Sequence, residues 1–276
     1  MSLLEIDDLR VAFPGRGLRA KPVEVLHGVS LDVAEGETVG LVGESGSGKT
    51  TIGRAVLGLV KPSGGSIRFG GQEIGGIQGR ARRSLARDIQ VVFQDPYTSL
   101  NPSLTIGDIL AEPLIVQGST AKDARSRVRT LLDQVGLPGD SVDRMPREFS
   151  GGQRQRVAIA RALAPRPTLI VCDEPVSALD LSTQARVMEL FVDIQRETGV
   201  AYLFISHDLS VIRHISHRVA VLYRGDLVET GDAPSVTSTP THPYTQRLLL
   251  AAPVADPRKQ QQRRAERERL TAASSA

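Results

Sequence analysis

The sequence predicts an α/β fold, a core of parallel strands interrupted by a helical insertion. Three observations predict it. TVGLVG runs straight into a glycine-rich loop and the helix-like KTTIGRAVLGLV, the order strand, loop, helix. LIVCD and AYLFIS are unbroken apolar runs, as strands covered on both faces require, and the helical pattern of Ser182 to Glu197 separates them. From about Thr105 to Ala164 the pattern is helical. With 276 residues, 40% of them hydrophobic, the chain can bury the core of one large domain, or of a domain carrying a smaller subdomain.

At the N-terminal end, LEIDDLRVAF and VSLDV alternate as half-buried strands do. Towards the other end, RVAVLY and DLVETG flank the turn Arg224-Gly225, and Pro253 and Pro257 are expected to end the folded part. Beyond them KQQQRRAERERLTAASSA is charged and free of aromatics, which favours a frayed helix or a disordered tail. No stretch approaches the roughly 18 apolar residues of a membrane span. MSLLEIDDLRVAF lacks a basic leader and cleavage site, so a cytosolic protein is expected. Net charge is only +3, too little for the field of a general nucleic-acid binder. The single cysteine, Cys172, excludes an internal disulfide framework and reads as a packed strand residue.

Chemistry concentrates at two places. Gly43 to Thr50, GESGSGKT, matches G-x-x-x-x-G-K-[ST] at a strand-to-helix junction. Glycines let backbone N–H groups curl around phosphate oxygens, and a helix starting near Lys49 aims its N-terminal N–H groups at the same anion. The expected cradle is Gly43, Glu44, Ser45, Gly46, Ser47, Gly48, Lys49, Thr50 and Thr51. Lys49 neutralises β- and γ-phosphate charge, and Thr50 offers its hydroxyl to Mg²⁺. In TLIVCDEPVSALD, an apolar run delivers Asp173 and Glu174 to a strand end, where open α/β sheets bind ligands. Neighbouring strand residues face opposite ways, so their roles are expected to differ. Asp173 holds magnesium, and Glu174 polarises an attacking water.

These motifs, with FSGGQRQRVAIARAL from Phe149 to Leu163, make the chain resemble the ABC ATPase family over roughly Leu4 to Gly231. The resemblance implies a P-loop NTPase of ABC type: a RecA-like core, an antiparallel β subdomain and an α-helical signature subdomain. It implies an ATPase domain over 1–252, with the helical subdomain at about 103–164 and an extension at 232–252, followed by a charged tail at 253–276. Gln94 in VVFQDP resembles the Q-loop glutamine that reaches magnesium or the water, and Ser177 to Asp180 resembles the D-loop, where Asp180 pins a dimer interface. His207 in FISHD resembles the switch histidine that senses the γ-phosphate. Phe13 sits where the family has an adenine-stacking aromatic, with core packing as the alternative. Ser150, Gly151, Gly152 and Gln153 open a second helix. Capping that helix is one reading of Ser150. The family implies another, a grip on nucleotide held by a second subunit. His27, His214 and His217 receive no site.

FQDPYTSLNP, EFSGGQRQR, DEPVSALD, HDLSV and THPYTQRLLLAAP resemble the oligopeptide/dipeptide importer branch. The branch implies ATP and Mg²⁺, a second ATPase subunit that is identical or a paralogue, and two membrane permease subunits. It also implies an extracytoplasmic solute-binding protein acting indirectly, no specific nucleic acid, and a peripheral place on the cytoplasmic face of the inner membrane. Gln94 to Asn101 and Thr105 to Gln117 are the expected surface for a permease helix. The cysteine cluster of some relatives is absent, so no iron–sulfur cluster is carried over. The runner-up is an accessory ATPase of a soluble phosphonate-degrading complex. A ribosome- or DNA-acting ABC protein would bring two cassettes or a long coiled coil, and a stand-alone P-loop kinase would leave SGGQ and His207 without purpose.

Overall fold

A computed structural model of the chain describes residues 2–15, 17 and 21–251; the tail expected at 253–276 lies outside them. The N-terminal strands β1 (Ser2–Phe13) and β2 (Val23–Ala34) form an antiparallel sheet with β4 (Gly64–Phe69) and the two-residue β5 (Gln72–Glu73), in the order β2-β1-β4-β5. The alternation of LEIDDLRVAF is broken at its acidic pair: Asp8 takes a left-handed φ of 45°, and pairing with β2 slips between Ile6 and Leu9. β4 crosses there closely, since a Cβ on Gly65 would lie 2.2 Å from the Asp8 carbonyl oxygen.

The second sheet has six strands. It runs β10 (Asp226–Asp232), β9 (Arg218–Tyr223), β3 (Thr38–Val42), β8 (Ala201–Ser206), β7 (Leu169–Asp173), β6 (Ile89–Val92). All pairs are parallel except β10 with β9. Its central strands β3, β8 and β7 are almost wholly apolar because both faces are covered, whereas the edge strand β10 is polar and partly exposed. Val39, Leu41, Val171, Leu203 and Ile205 face α1 (Lys49–Val56) and the antiparallel sheet, whereas Val42, Ile170, Cys172, Tyr202 and Phe204 pack among the helices on the other side. Phe191 stands edge-on to Tyr202 and to Phe204, each at 5.5 Å between ring centroids, contacts worth about 0.5–1.5 kcal/mol apiece beyond area burial.

Between β4 and β7 lie α2 (Gly79–Leu85), α3 (Pro96–Ser99), α4 (Ile106–Val116), α5 (Ala121–Gln134), two short 3₁₀ turns and α6 (Gly151–Leu163). The helical stretch read from Thr105 to Ala164 is thus three helices. Thr105 and Thr120 cap α4 and α5 by accepting from the Asp108 and Asp123 N–H groups, and Gly118 and Gly136 turn the chain after each helix at positive φ. α7 (Leu181–Thr198) joins β7 to β8, and α8 (Leu209–Ile215) joins β8 to β9. α9 (Ala233–Ser238) and α10 (Pro243–Ala251) close the described chain. Among the described residues no helix is long and apolar enough to cross a membrane. Of the histidines given no site, His217 has a structural role, since its Nδ1 accepts from the Thr38 N–H at 3.0 Å.

Candidate nucleotide site

The loop between β3 and α1 is shaped by backbone crowding. A Cβ on Gly43 would sit 2.1 Å from the Leu222 carbonyl oxygen, so this close approach admits only glycine. Gly46 and Gly48 carry φ of 81° and 109°, which turns the chain into α1. Lys49 is buried, and its Nζ donates to the carbonyls of Gly43 (2.7 Å) and Glu44 (2.8 Å). Burial pulls its pKa below the usual lysine value, opposed by the nearby carboxylates of Glu174, Asp173 and Glu44. Two of three ammonium protons are spent on carbonyls, and the acidic neighbours favour keeping the charge.

Thr50 Oγ1 donates to Asp173 Oδ1 at 3.0 Å. Burial raises the Asp173 pKa, against the lowering effect of the Thr50 hydroxyl and of Arg54 and Lys49. β7 ends there, and Glu174 takes a left-handed φ of 50°, strained for a non-glycine residue, while its N–H still donates to the Ile205 carbonyl of β8 at 3.0 Å. This twist swings the Glu174 carboxylate to His207, with Oε2 to Nδ1 at 3.0 Å. The two adjacent carboxylates therefore face different partners, through the left-handed turn at Glu174 rather than through strand alternation. A cavity of about 360 Å³ is lined by Phe13, Val25, Ser45, Gly46, Gly48, Lys49, Thr50, Thr51, Arg54 and Glu174. Phe13, at the end of β1, is 40% exposed on its wall rather than packed in the core.

Ser150 caps α6 in a reciprocal box: its Oγ accepts from the Gln153 N–H (3.3 Å), and Gln153 Oε1 accepts from the Ser150 N–H (2.9 Å). Gly152 has a packing reason to be glycine, because a Cβ would lie 2.3 Å from Thr183 Cγ2. Gly151 has no such neighbour within 3.5 Å. Ser150, Gly152 and Gln153 line a second cavity of about 330 Å³ with Arg156, Thr183 and Arg186. It shares no lining residue with the first. Within one chain, the two helix starts open onto different cavities.

Two expected residues stand apart. Gln94 is exposed just beyond β6 and is not on the wall of the first cavity. Asp180 caps α7, its Oδ1 accepting from the N–H groups of Ser182 and Thr183; the hydroxyls of Thr183 and Ser182, and then those N–H groups, hold its carboxyl far below the usual range. Sequence reasoning missed Arg54, on the exposed side of α1, and Tyr244, whose hydroxyl accepts from the Glu44 N–H at 2.8 Å. Arg54 follows Thr50 by one helical turn, a signal the spacing carried. Tyr244 is 200 residues away, and only the HPYT string marked it in the sequence.

The family model described as ABC transporter matches residues 26–177, more than half of the chain and both strand ends that bear the site. The chain belongs to the ABC transporter family. It is 51% identical over 267 residues, 95% of its length, to the glutathione import ATP-binding protein GsiA of Escherichia coli (strain K12), and 50% identical over 264 residues to the protein of that name from Pectobacterium atrosepticum. It spans about 43% of the length of the first and 42% of the second. The ABC fold is matched by solved structures. One is the dimeric post-hydrolysis state of the ATP-binding cassette MJ0796 bound to ADP and Pi, with TM-score 0.74 and 30% identity over 83% of this chain and 98% of that one. Another is cbiO1 from Clostridium perfringens, part of the ABC transporter complex cbiONQ, with TM-score 0.77 and 26% identity over 86% of this chain and 91% of that one.

Proposed function

We propose that this ABC protein is the ATP-hydrolysing subunit of an importer for peptides or a related small solute. The observation that carries the reading is the first cavity: Lys49, Thr50 and Glu174 line it, with Asp173 and His207 hydrogen-bonded to two of them. In this reading the loop Gly43–Thr51 and the start of α1 hold the ATP phosphates through their N–H groups, except that of Glu44, which is given to the Tyr244 hydroxyl; Lys49 neutralises the phosphates, and Phe13 stacks on adenine. Glu174 accepts a proton from the attacking water, and His207, held by Glu174, donates to the γ-phosphate. Gln94 must swing in from its exposed position to take part. The donor set fits Mg²⁺: Thr50 Oγ1 and Asp173 Oδ1 are hard oxygens 3.0 Å apart. Among the described residues no cluster of three acidic, His or Cys ligands competes for it, which suits an ion that keeps water and phosphate oxygens. Bound there, Mg²⁺ would offset charge on the phosphate oxygens.

Ser150, Gly151, Gly152 and Gln153 then serve the nucleotide of a second copy or paralogue, and Asp180 lies at the joint. That the two helix starts line different cavities supports this division. Two permease subunits and, through them, a solute-binding protein complete the assembly at the cytoplasmic face of the inner membrane. For the permease helix we assign Gln94–Asn101 and Thr105–Gln117, where Tyr97, Ile115 and Val116 are exposed. The relatives' names support import over the phosphonate-complex alternative, and glutathione, a peptide, is within the proposed solute class. Purified protein should hydrolyse ATP only with Mg²⁺ and only with Lys49 intact. Copurification with soluble enzyme subunits instead of permeases would refute the importer assignment.

A further inference from the structure

From the contacts of Tyr244 we infer that the C-terminal helix α10 sets the geometry of the phosphate loop, with Tyr244 as a positioning residue for ATP binding. The inference rests on the reading of Gly43–Thr50 as the phosphate cradle. The Tyr244 hydroxyl accepts from the Glu44 N–H at 2.8 Å. That N–H belongs to the Gly43–Glu44 peptide. A trans peptide is planar, with N–H and C=O pointing opposite ways. Fixing the N–H from outside therefore aims the Gly43 carbonyl inward, where it receives Lys49 Nζ at 2.7 Å. Gly43 has no side chain with which to hold that plane. The far half of the loop is held independently, by the Gly225 N–H donating to the Ser47 carbonyl at 3.0 Å.

Tyr244 is itself held from two sides. Its ring packs on Tyr223, at the end of β9, with centroids 4.2 Å apart. Glu229 on β10 draws in the preceding THP segment, accepting from the Thr241 N–H (2.7 Å), the Thr241 hydroxyl (2.9 Å) and the His242 N–H (3.2 Å). Burial raises the Glu229 pKa, but the Thr245 hydroxyl and then these bonds outweigh it and hold the carboxyl below its ordinary value. The HPYT string thus acts physically on the loop, from 200 residues away in sequence.

Tyr244→Phe removes the hydroxyl and keeps the ring contact. Losing one hydrogen bond from the loop should weaken ATP binding about three- to tenfold. It should raise the KM for ATP equally and leave kcat within about twofold. The Glu44 amide, measured by NMR hydrogen exchange, should exchange faster in the variant, a change that general loosening of α10 would not confine to that amide. The titration uses a fluorescent ATP analogue on wild type, Tyr244→Phe and Lys49→Ala. If wild type does not bind, or Lys49→Ala binds equally well, the cradle reading fails. If those two behave as expected while Tyr244→Phe matches wild type in affinity and Glu44 exchange, the inference about α10 is overturned. Should the Phe variant misfold, Glu229→Gln is measured instead, and it must weaken ATP binding in the same direction.

Discussion

Glu174→Gln separates the chemistry of the site from its architecture. Glutamine has the same shape, and its side-chain oxygen can still accept from His207 Nδ1, the 3.0 Å partner of Glu174. The left-handed turn at Glu174, held by the bond from its N–H to Ile205, needs no carboxylate. What is lost is the ability to take a proton from water, a contribution of about 10²–10⁴ in rate, or about 2.7–5.5 kcal/mol of barrier. The lost negative charge also stood beside the phosphate cradle, where it supported the charge of Lys49. Asp173 and Glu44 remain to support it. ATP affinity should accordingly stay level or tighten. Phosphate release at saturating ATP and Mg²⁺, with nucleotide affinity measured in parallel, reads both quantities. Turnover within threefold of wild type would refute Glu174 as the base. A tenfold loss of affinity would show that the carboxylate shapes the site as well as reacting in it.

Three further outcomes are expected. Gly152→Ala should destabilise the chain by about 1–3 kcal/mol in thermal or urea unfolding, because its Cβ meets Thr183 Cγ2. Adding Thr183→Ser, which deletes that methyl, should recover most of the loss, and no recovery would refute the packing explanation. Ser150→Arg should keep nucleotide binding by the single chain while lowering ATPase activity at least about tenfold, with normal activity counting against a composite site. Asp180 has a folded pKa below its unfolded value of about 3.9, so its cap contributes stability above that pH and loses it as pH falls towards the folded value. Asp180→Asn keeps a capping oxygen without the charge. Its Tm should be lower than wild type near neutral pH, the gap should narrow below about pH 4, and a gap constant with pH would refute the charge argument.

The parallel core was legible because its strands are buried on both faces. TVGLV, LIVCD and AYLFIS leave no polar side to confuse the pattern, and each ends where a loop must carry chemistry. The phosphate loop and the carboxylate pair were legible for a related reason, since strand ends and glycines fix their geometry locally. What escaped depends on contacts distant in sequence. GGSIRF forms β4 by pairing with β1 and β5, and its alternation is too short to stand out. KTTIGRAVLGLV reads as helix to Val60, yet α1 stops at Val56 and Gly58 turns at φ 69°. The anion-site reading of the signature glycines came from the family resemblance. Gly152 is explained by Thr183, across a gap no spacing rule reveals, while Gly151 keeps the open reading. Gln94 rests on resemblance to the Q-loop motif, and in this structure it stands exposed.

The central claim is that one ATP is held by the loop at Lys49 of one copy and by the α6 start at Ser150 of another. The structure of Glu174→Gln with ATP and Mg²⁺ tests it most directly. The account predicts a dimer with two nucleotides, each phosphate chain lying between Gly43–Thr51 of one subunit and Ser150–Gln153 of its partner. A nucleotide enclosed by one polypeptide, with both α6 starts facing solvent, would contradict it.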